Sequence, residues 1–380
     1  MINLLALLLT AQTHPLAEID TIVRDGIGAG VYPGAVVVVG TADAVLLAKG
    51  YGRLRWTGGS GVPSPDSTLY DLASLTKVVA TTPAIMLLID RGLVDLDRPV
   101  RDYLAGFKGE GKDAVTVRHL LSHTSGLRAF LPLNTLADDA EDARELVMSE
   151  PLRWRPGTRV EYSDLNAMLV GWIVEAVSRT PLDEFVRDEL HVPLGMNQTR
   201  FNLPRSARSR AAPINVWHGQ PIRGVIHDQN AARLNGVAGH AGLYSTGREL
   251  ALFAQMQLRR GTLGDGVSLV RPETVDAFTR PGQGRRALGW AMNDTTSSDD
   301  TGTLLSPQAY GHGGFTGTSI WIDPSQNVFV ILLTNRVYAP RTRRSITRLK
   351  AVRGRLADAA LRLKERSCGL LRALEGAARC

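Results

Sequence analysis

At 380 residues the chain can build one large domain or two ordinary ones around a substantial core. Its 44% hydrophobic and 21% charged residues exclude a disordered chain, and no apolar run reaches the roughly 18–20 residues that span a bilayer. The net charge of +7 is local, with 12 Lys/Arg against 3 Asp/Glu after residue 340 and 32 against 34 before it, so the body has no basic field for nucleic acid.

The first stretch, Leu4-Leu5-Ala6-Leu7-Leu8-Leu9, has the character of a secretory leader's core with a cut after Ala11, but lacks basic residues ahead of it. The alternative is a first helix packed on the body, and the compartment stays open. Residues 15–30 place Leu16, Ile19, Ile22, Val23 and Ile27 on one face of a helix closed by Gly28 and Gly30. Ala35-Val36-Val37-Val38-Val39 predicts a strand covered on both faces, and residues 45–51 predict its hairpin partner. Residues 57–67 are a loop rich in Gly, Ser and Pro.

Asp71-Leu72-Ala73-Ser74-Leu75-Thr76-Lys77 opens a helix whose continuation to residue 89 is almost wholly apolar, with Pro83 expected to kink it. Ser74 and Lys77, three apart, share one face of that helix. A buried lysine is expected to lose its proton easily and to take the proton of a neighbouring hydroxyl, leaving a nucleophile. The plain alternative is a capped helix with a solvated lysine, against which the apolar run argues.

Residues 116–121 predict a further helix, with His119 and His123 four apart. That is metal-like spacing without a third ligand, so a structural pair is expected. Residues 138–149 read as an acidic helix, and residues 167–177 as a strong one capped by Ser163 or Asp164. Residues 182–192 and 247–259 add two more. Between about 198 and 243 regular signals fade, which predicts a site-forming loop. It ends in Gly239-His240-Ala241-Gly242, small residues that suggest close backbone approach. Residues 317–322 and 327–333 predict a closing strand pair. Ile346, Leu349, Val352, Leu356, Ala360 and Leu363 then recur at helical spacing. Both cysteines, Cys368 and Cys380, lie in this tail, so they cannot staple the core. Strands at both ends and helices between them predict one sheet built from both termini, with a helical region set into the middle.

Two more stretches carry chemistry. Tyr162 lies in a turn before a helix; its phenol, with an ordinary pKa near 10, acts as a base only with cationic help, which Lys77 can give. The alternative is a half-buried aromatic bonded to backbone. Gly311-His312-Gly313-Gly314-Phe315-Thr316-Gly317 leads into a strand where an edge can offer an N–H to an oxyanion, the alternative being a hairpin turn needing positive φ. Trp154, Trp217 and Trp290 are candidates to shape an apolar acyl pocket, although core packing is the commoner fate of tryptophan.

In their order, Ser-x-x-Lys, Tyr-Ser-Asp and His-x-Gly, these stretches resemble the serine β-lactamase and penicillin-binding-protein superfamily over about residues 15–365. The nearest branch holds class C β-lactamases, family VIII carboxylesterases, D-aminopeptidases and D-Ala-D-Ala carboxypeptidases. His119-Leu120-Leu121-Ser122-His123-Thr124-Ser125-Gly126-Leu127 and Gly239-His240-Ala241-Gly242-Leu243 look like its recurring stretches. The resemblance implies a β-lactamase/transpeptidase-like α/β (α+β) fold. An antiparallel sheet domain from residues 1–79 and 291–380 is flanked by helices, a mainly helical domain spans 80–290, and the active site lies between them. It implies Ser74 as nucleophile activated by Lys77 and Tyr162, and an oxyanion hole from the Ser74 and Phe315 N–H groups. It also implies a substrate-binding group of His312, Gly313, Gly314 and Asp164. Here His312 replaces the lysine and Gly313 the threonine of Lys-Thr-Gly, and Asp164 the asparagine of Tyr-x-Asn. A largely neutral histidine holds a β-lactam carboxylate less firmly than lysine does.

The expected activity is therefore hydrolysis of a small ester through an acyl-enzyme, without metal or cofactor. A D-Ala-D-Ala carboxypeptidase or a weak β-lactamase is the close rival, and an acylated sensor domain the non-enzymatic one. No serine sits in Gly-x-Ser-x-Gly, which argues against an α/β-hydrolase. The partner expected is a small ester or peptide-like molecule.

Overall fold

A computed structural model describes residues 14–56, 59–217, 220–297, 299–338 and 345–375. The possible leader and Cys380 lie outside the described residues. Among the described residues there are ten strands: β1 (Gly34–Gly40), β2 (Val45–Gly52), β3 (Tyr70–Asp71), β4 (Asn215–Trp217), β5 (Gln220–Ile222), β6 (Tyr244–Ser245), β7 (Ala291–Met292), β8 (Tyr310–Gly313), β9 (Ser319–Asp323) and β10 (Val328–Thr334). Six of them form one sheet in the order β2-β1-β10-β9-β8-β7, every pair antiparallel. The two ends of the chain thus meet where Val37 faces Leu332 across β1 and β10.

The valine run of β1 is buried on both sides because successive side chains point to opposite faces. Val36 and Val38 enter a large core with Phe253, Phe329 and Ile331. Ala35, Val37 and Val39 enter a second core with Ile19, Ile22, Leu349, Val352 and Leu356. That second core lies under the helices Pro15–Gly28 and Ile346–Glu375, which pack on each other and on the sheet. On the other face the helix Gly247–Leu258 comes so close that a Cβ at Gly247 would stand 2.7 Å from Val36. Phe253, Trp290 and Tyr310 join this helix to the sheet through a stacked and an edge-on ring contact. Trp290 is therefore a core residue, not a pocket wall.

The region from 198 to 243 is more ordered than its composition suggests. It holds the helices Arg205–Arg208 and Gln229–Arg233 and the β4–β5 hairpin. The stretch Ala73–Asp90 has the length and, at 1.3, the mean hydropathy of a membrane span despite its charges, yet 83% of it is buried inside the protein. It is the central core segment.

That segment is not a plain kinked helix. A 3-10 turn, Ala73–Leu75, passes into a π turn, Lys77–Thr81, and then into the α-helix Thr82–Asp90 with Pro83 in its first turn. Pro83 has no N–H to give the Val79 carbonyl four residues back. His191 meets that carbonyl instead, its Nε2 3.1 Å away, from the π turn Arg187–His191 that follows the helix Leu182–Val186. The carbonyl can only accept, so Nε2 carries the proton. His191 is fully buried, and burial holds its pKa down at about 4. The unfolded chain binds this proton at higher pH, so His191's share of stability is intact above pH 6.5 and lost as pH falls toward 4. Between those limits denaturant melts should show His191→Gln losing up to about 3 kcal/mol less stability than the natural protein.

Candidate active site

Ser74 ends a turn under strain. Ala73 before it has φ +48°, a left-handed conformation that costs an L-residue with a Cβ about 1–2 kcal/mol. The Ala73 N–H donates to the Asp71 carboxylate at 2.9 Å, and the His227 N–H donates to the other oxygen of that carboxylate at 2.8 Å. Asp71 is buried. Burial lifts its pKa to about 6 against the two N–H bonds, with Asp228 adding to the rise.

Lys77 is buried beneath Ser74. Its Nζ lies 3.2 Å from Ser74 Oγ, 2.8 Å from Asp164 Oδ1 and 3.2 Å from the His240 carbonyl. The expectation of an easily deprotonated lysine is corrected here. Burial works against the charge, but the Asp164 carboxylate and the Tyr162 phenol outweigh it and raise the pKa above the usual lysine value. Lys77 rests as an ammonium.

Asp164 is the first residue of the helix Asp164–Ser178. Neither it nor Ser163 caps that helix by side chain, contrary to expectation: the Ser163 hydroxyl donates to the Arg128 carbonyl and the Asp164 carboxylate turns to Lys77. Tyr162, two residues earlier, stands over the same ammonium, with Lys77 Nζ 4.9 Å from its ring centre. His123 fixes the turn that carries it. The His123 carbonyl accepts from Glu161 N–H at 2.8 Å, its Nδ1 accepts from Ser163 N–H at 3.1 Å, and its ring rests 4.8 Å from that of Tyr162. His119 lies in the Thr116 capping box. Each histidine thus bonds to nearby backbone, His119 within its own capping box and His123 at the Tyr162 turn.

The small-residue run at 239–242 supplies the wall behind Lys77. A Cβ at Gly239 would stand 2.0 Å from the Ala167 carbonyl, so only glycine lets this backbone pass the helix and present the His240 carbonyl to the ammonium. His240 Nε2 sits 3.1 Å from Asp228.

On the opposite side β8 brings His312 toward Tyr162, ring centres 5.7 Å apart. β7 pairs only with Tyr310 and Gly311, so β8 is an edge from His312 onward. Burial, with the nearby Arg286 and Lys77 charges, holds the His312 pKa well below its usual value, so this ring is neutral. Gly313 is bare for a local reason: a Cβ there would stand 2.8 Å from Nη1 of Arg353, a buried guanidinium bonded to Asp300 and the Thr318 carbonyl. Gly314 passes within 2.4 Å, at its Cβ position, of the Leu72 carbonyl. The turn after β8 is also stitched to the Ser74 turn by Thr316 Oγ1 to Asp71 O at 2.7 Å and Thr318 Oγ1 to Leu72 O at 3.0 Å. Phe315, 59% exposed, stands on that turn with its ring 5.5 Å from the His227 ring. Trp154 lies on the surface, its Nε1 bonded to Glu161 and its face against Arg159.

Arg286 carries no motif and was not legible in the sequence. Its guanidinium is 5.0 Å from the Tyr162 ring centre, and its Nη1 is buried without a hydrogen-bond partner among the described residues.

A model of the beta-lactamase family, described as "Beta-lactamase", matches residues 19–354. The chain belongs to the beta-lactamase family. It is 32% identical over 366 residues to a Salmonella schwarzengrund (strain CVM19633) protein named "Putative D-alanyl-D-alanine carboxypeptidase", covering 87% of this chain and 84% of that one. Its fold is similar to that of a penicillin-binding-protein homologue from Caulobacter crescentus, with TM-score 0.74, 22% identity and 92% and 97% of the two chains covered. It is also similar to that of a family VIII carboxylesterase, with TM-score 0.71, 20% identity and coverage of 92% and 97%. This beta-lactamase-family chain is thus of the serine-hydrolase type.

The charge on Lys77 depends on Asp164, which gives a test. Removing that negative charge by Asp164→Asn lowers the proton affinity of Lys77. The alkaline limb of the pH dependence of kcat/KM should therefore move to lower pH. An unmoved alkaline limb would mean that Lys77 is not the group that titrates there.

Proposed function

We propose that the protein hydrolyses esters through an acyl-enzyme on Ser74. The observation that carries this reading is the Lys77 ammonium, held by Asp164 and placed 3.2 Å from the Ser74 hydroxyl with Tyr162 beside it. An ammonium is no base, so the proton acceptor is Tyr162, whose ring stands 4.9 Å from that ammonium. Ser74 Oγ attacks the ester carbonyl carbon and its proton passes to the Tyr162 oxygen. The oxyanion that forms is met by the Ser74 and Phe315 N–H groups; Phe315 N–H has no protein acceptor among the described residues, which leaves it free for this role. The carbon–oxygen bond to the leaving alcohol then breaks, and that alcohol takes the proton from Tyr162. Water attacks the acyl group, gives its proton to Tyr162, and Ser74 leaves and is reprotonated. His312, Gly313 and Gly314 line the β8 side of this path, where a neutral imidazole suits an uncharged ester. The rings of Phe315 and His227 offer an apolar lip to the acyl group.

A second reading has its own observation. Arg286 brings an unpartnered buried N–H to the side of Tyr162, where a carboxylate next to the scissile bond would meet it. D-Ala-D-Ala peptides carry such a carboxylate, and the Salmonella relative is named for cleaving them.

Ser74→Ala should abolish both turnover of p-nitrophenyl butyrate and covalent labelling by a fluorophosphonate; labelling that persists would refute the assignment. Comparing that ester with a D-Ala-D-Ala peptide separates the two readings. Arg286→Met should raise KM for the peptide about tenfold or more, the loss of one hydrogen bond to a charged group, and leave KM for the neutral ester within about twofold.

A further inference from the structure

Asp71 is a buried carboxylate that the acyl-transfer steps do not use. Each of its oxygens accepts one backbone N–H, that of Ala73 in the Ser74 turn and that of His227 in the long loop. Its own carbonyl accepts the Thr316 hydroxyl from the turn that bears Phe315. One residue therefore joins the three segments that meet at Ser74. Its surroundings are otherwise ill suited to a charge: Asp228 repels it, Tyr244 pairs with it across β3 and β6, and no cation bonds to it among the described residues. A carboxylate kept at such a place is explained by the two N–H groups it must accept.

We propose that Asp71 is a positioning residue, holding the left-handed Ala73 backbone so that Ser74 stands ready for attack while anchoring the His227 side of the substrate lip. This rests on Ser74 being the acylated residue. The geometry is local and strained. At φ +48° Ala73 relaxes unless something fixes its N–H, and an acceptor two residues back in the chain does so. Asparagine has nearly the same shape but one acceptor oxygen, and its amide N–H groups would face a backbone N–H. Asp71→Asn therefore removes one of the two anchors without opening a cavity. Glycine holds positive φ without help, so Ala73→Gly makes the Ser74 turn independent of Asp71.

The test is a double-mutant cycle read by the rate of fluorophosphonate labelling, with labelling stoichiometry and thermal midpoint recorded alongside. Asp71→Asn should slow labelling about 10- to 100-fold at full stoichiometry, and lower kcat for p-nitrophenyl butyrate with KM within about twofold. In the Ala73→Gly background the same substitution should slow labelling less than about fivefold. Equal slowing in both backgrounds, or none in either, overturns the proposal. A loss of labelling stoichiometry or of the thermal midpoint without a slower rate also overturns it, because that is the mark of a merely structural residue. If Asp71→Asn does not fold, Asp71→Ser in the two Ala73 backgrounds gives the same comparison. Absence of labelling in the natural protein itself would sink the Ser74 assignment instead, and this proposal with it.

Discussion

A charged lysine in the middle of a protein is a demand on everything around it. Lys77 is 2% exposed, and an ammonium removed from water must recover its solvation from protein groups or lose its proton. Here three groups provide that recovery: the Ser74 hydroxyl from the same segment, and the Asp164 carboxylate and the His240 carbonyl from distant ones. The last two contacts do not exist until the helix Asp164–Ser178 and the 239–242 backbone have docked on the Ala73–Asp90 segment. The charge and the folded arrangement therefore depend on each other. The resting site is ionic, and an ammonium beside the Ser74 hydroxyl cannot take its proton.

The same logic runs through the frame that carries the site. The sheet supplies rigidity, and the β8–β9 turn is fixed to the Ser74 turn by hydroxyl–carbonyl bonds from Thr316 and Thr318. Arg353 holds that turn from behind through the Gly314 and Thr318 carbonyls, with Asp300 balancing its charge. The Ser74 turn, the turn opposite and the last long helix form one mechanical unit, although more than 230 residues of chain separate the first two. Ala73 keeps its φ of +48° within this unit.

The distribution of cations also distinguishes the site. His312 is neutral where the resembling family has a lysine, and Gly313 has no room for a side chain above Arg353. Positive charge instead enters from Arg286, on the far side of Tyr162. The positive charge thus lies on the Tyr162 side of the site and not on the β8 side.

The sequence by itself determined the elements and the chemical cast. The valine run at 35–39, the apolar stretch after Ser74 and the periodicity of 346–363 dictated buried strand, buried segment and amphipathic helix through local pattern alone. Ser74, Lys77, Tyr162 and His312 were visible because their spacings and flanking glycines are local too. What only the tertiary structure decided was every property set by a neighbour distant in the chain. Lys77 keeps its proton because Asp164, 87 residues away, stands 2.8 Å from it. The Val79 carbonyl, which Pro83 cannot serve, is met at 3.1 Å by His191, 112 residues further along the chain. Arg286 belongs to the site because the fold lays it on Tyr162, and nothing in its flanking residues marks it. Periodicity encodes which face a residue is on; it does not encode which charge waits there, and proton affinity depends on that charge.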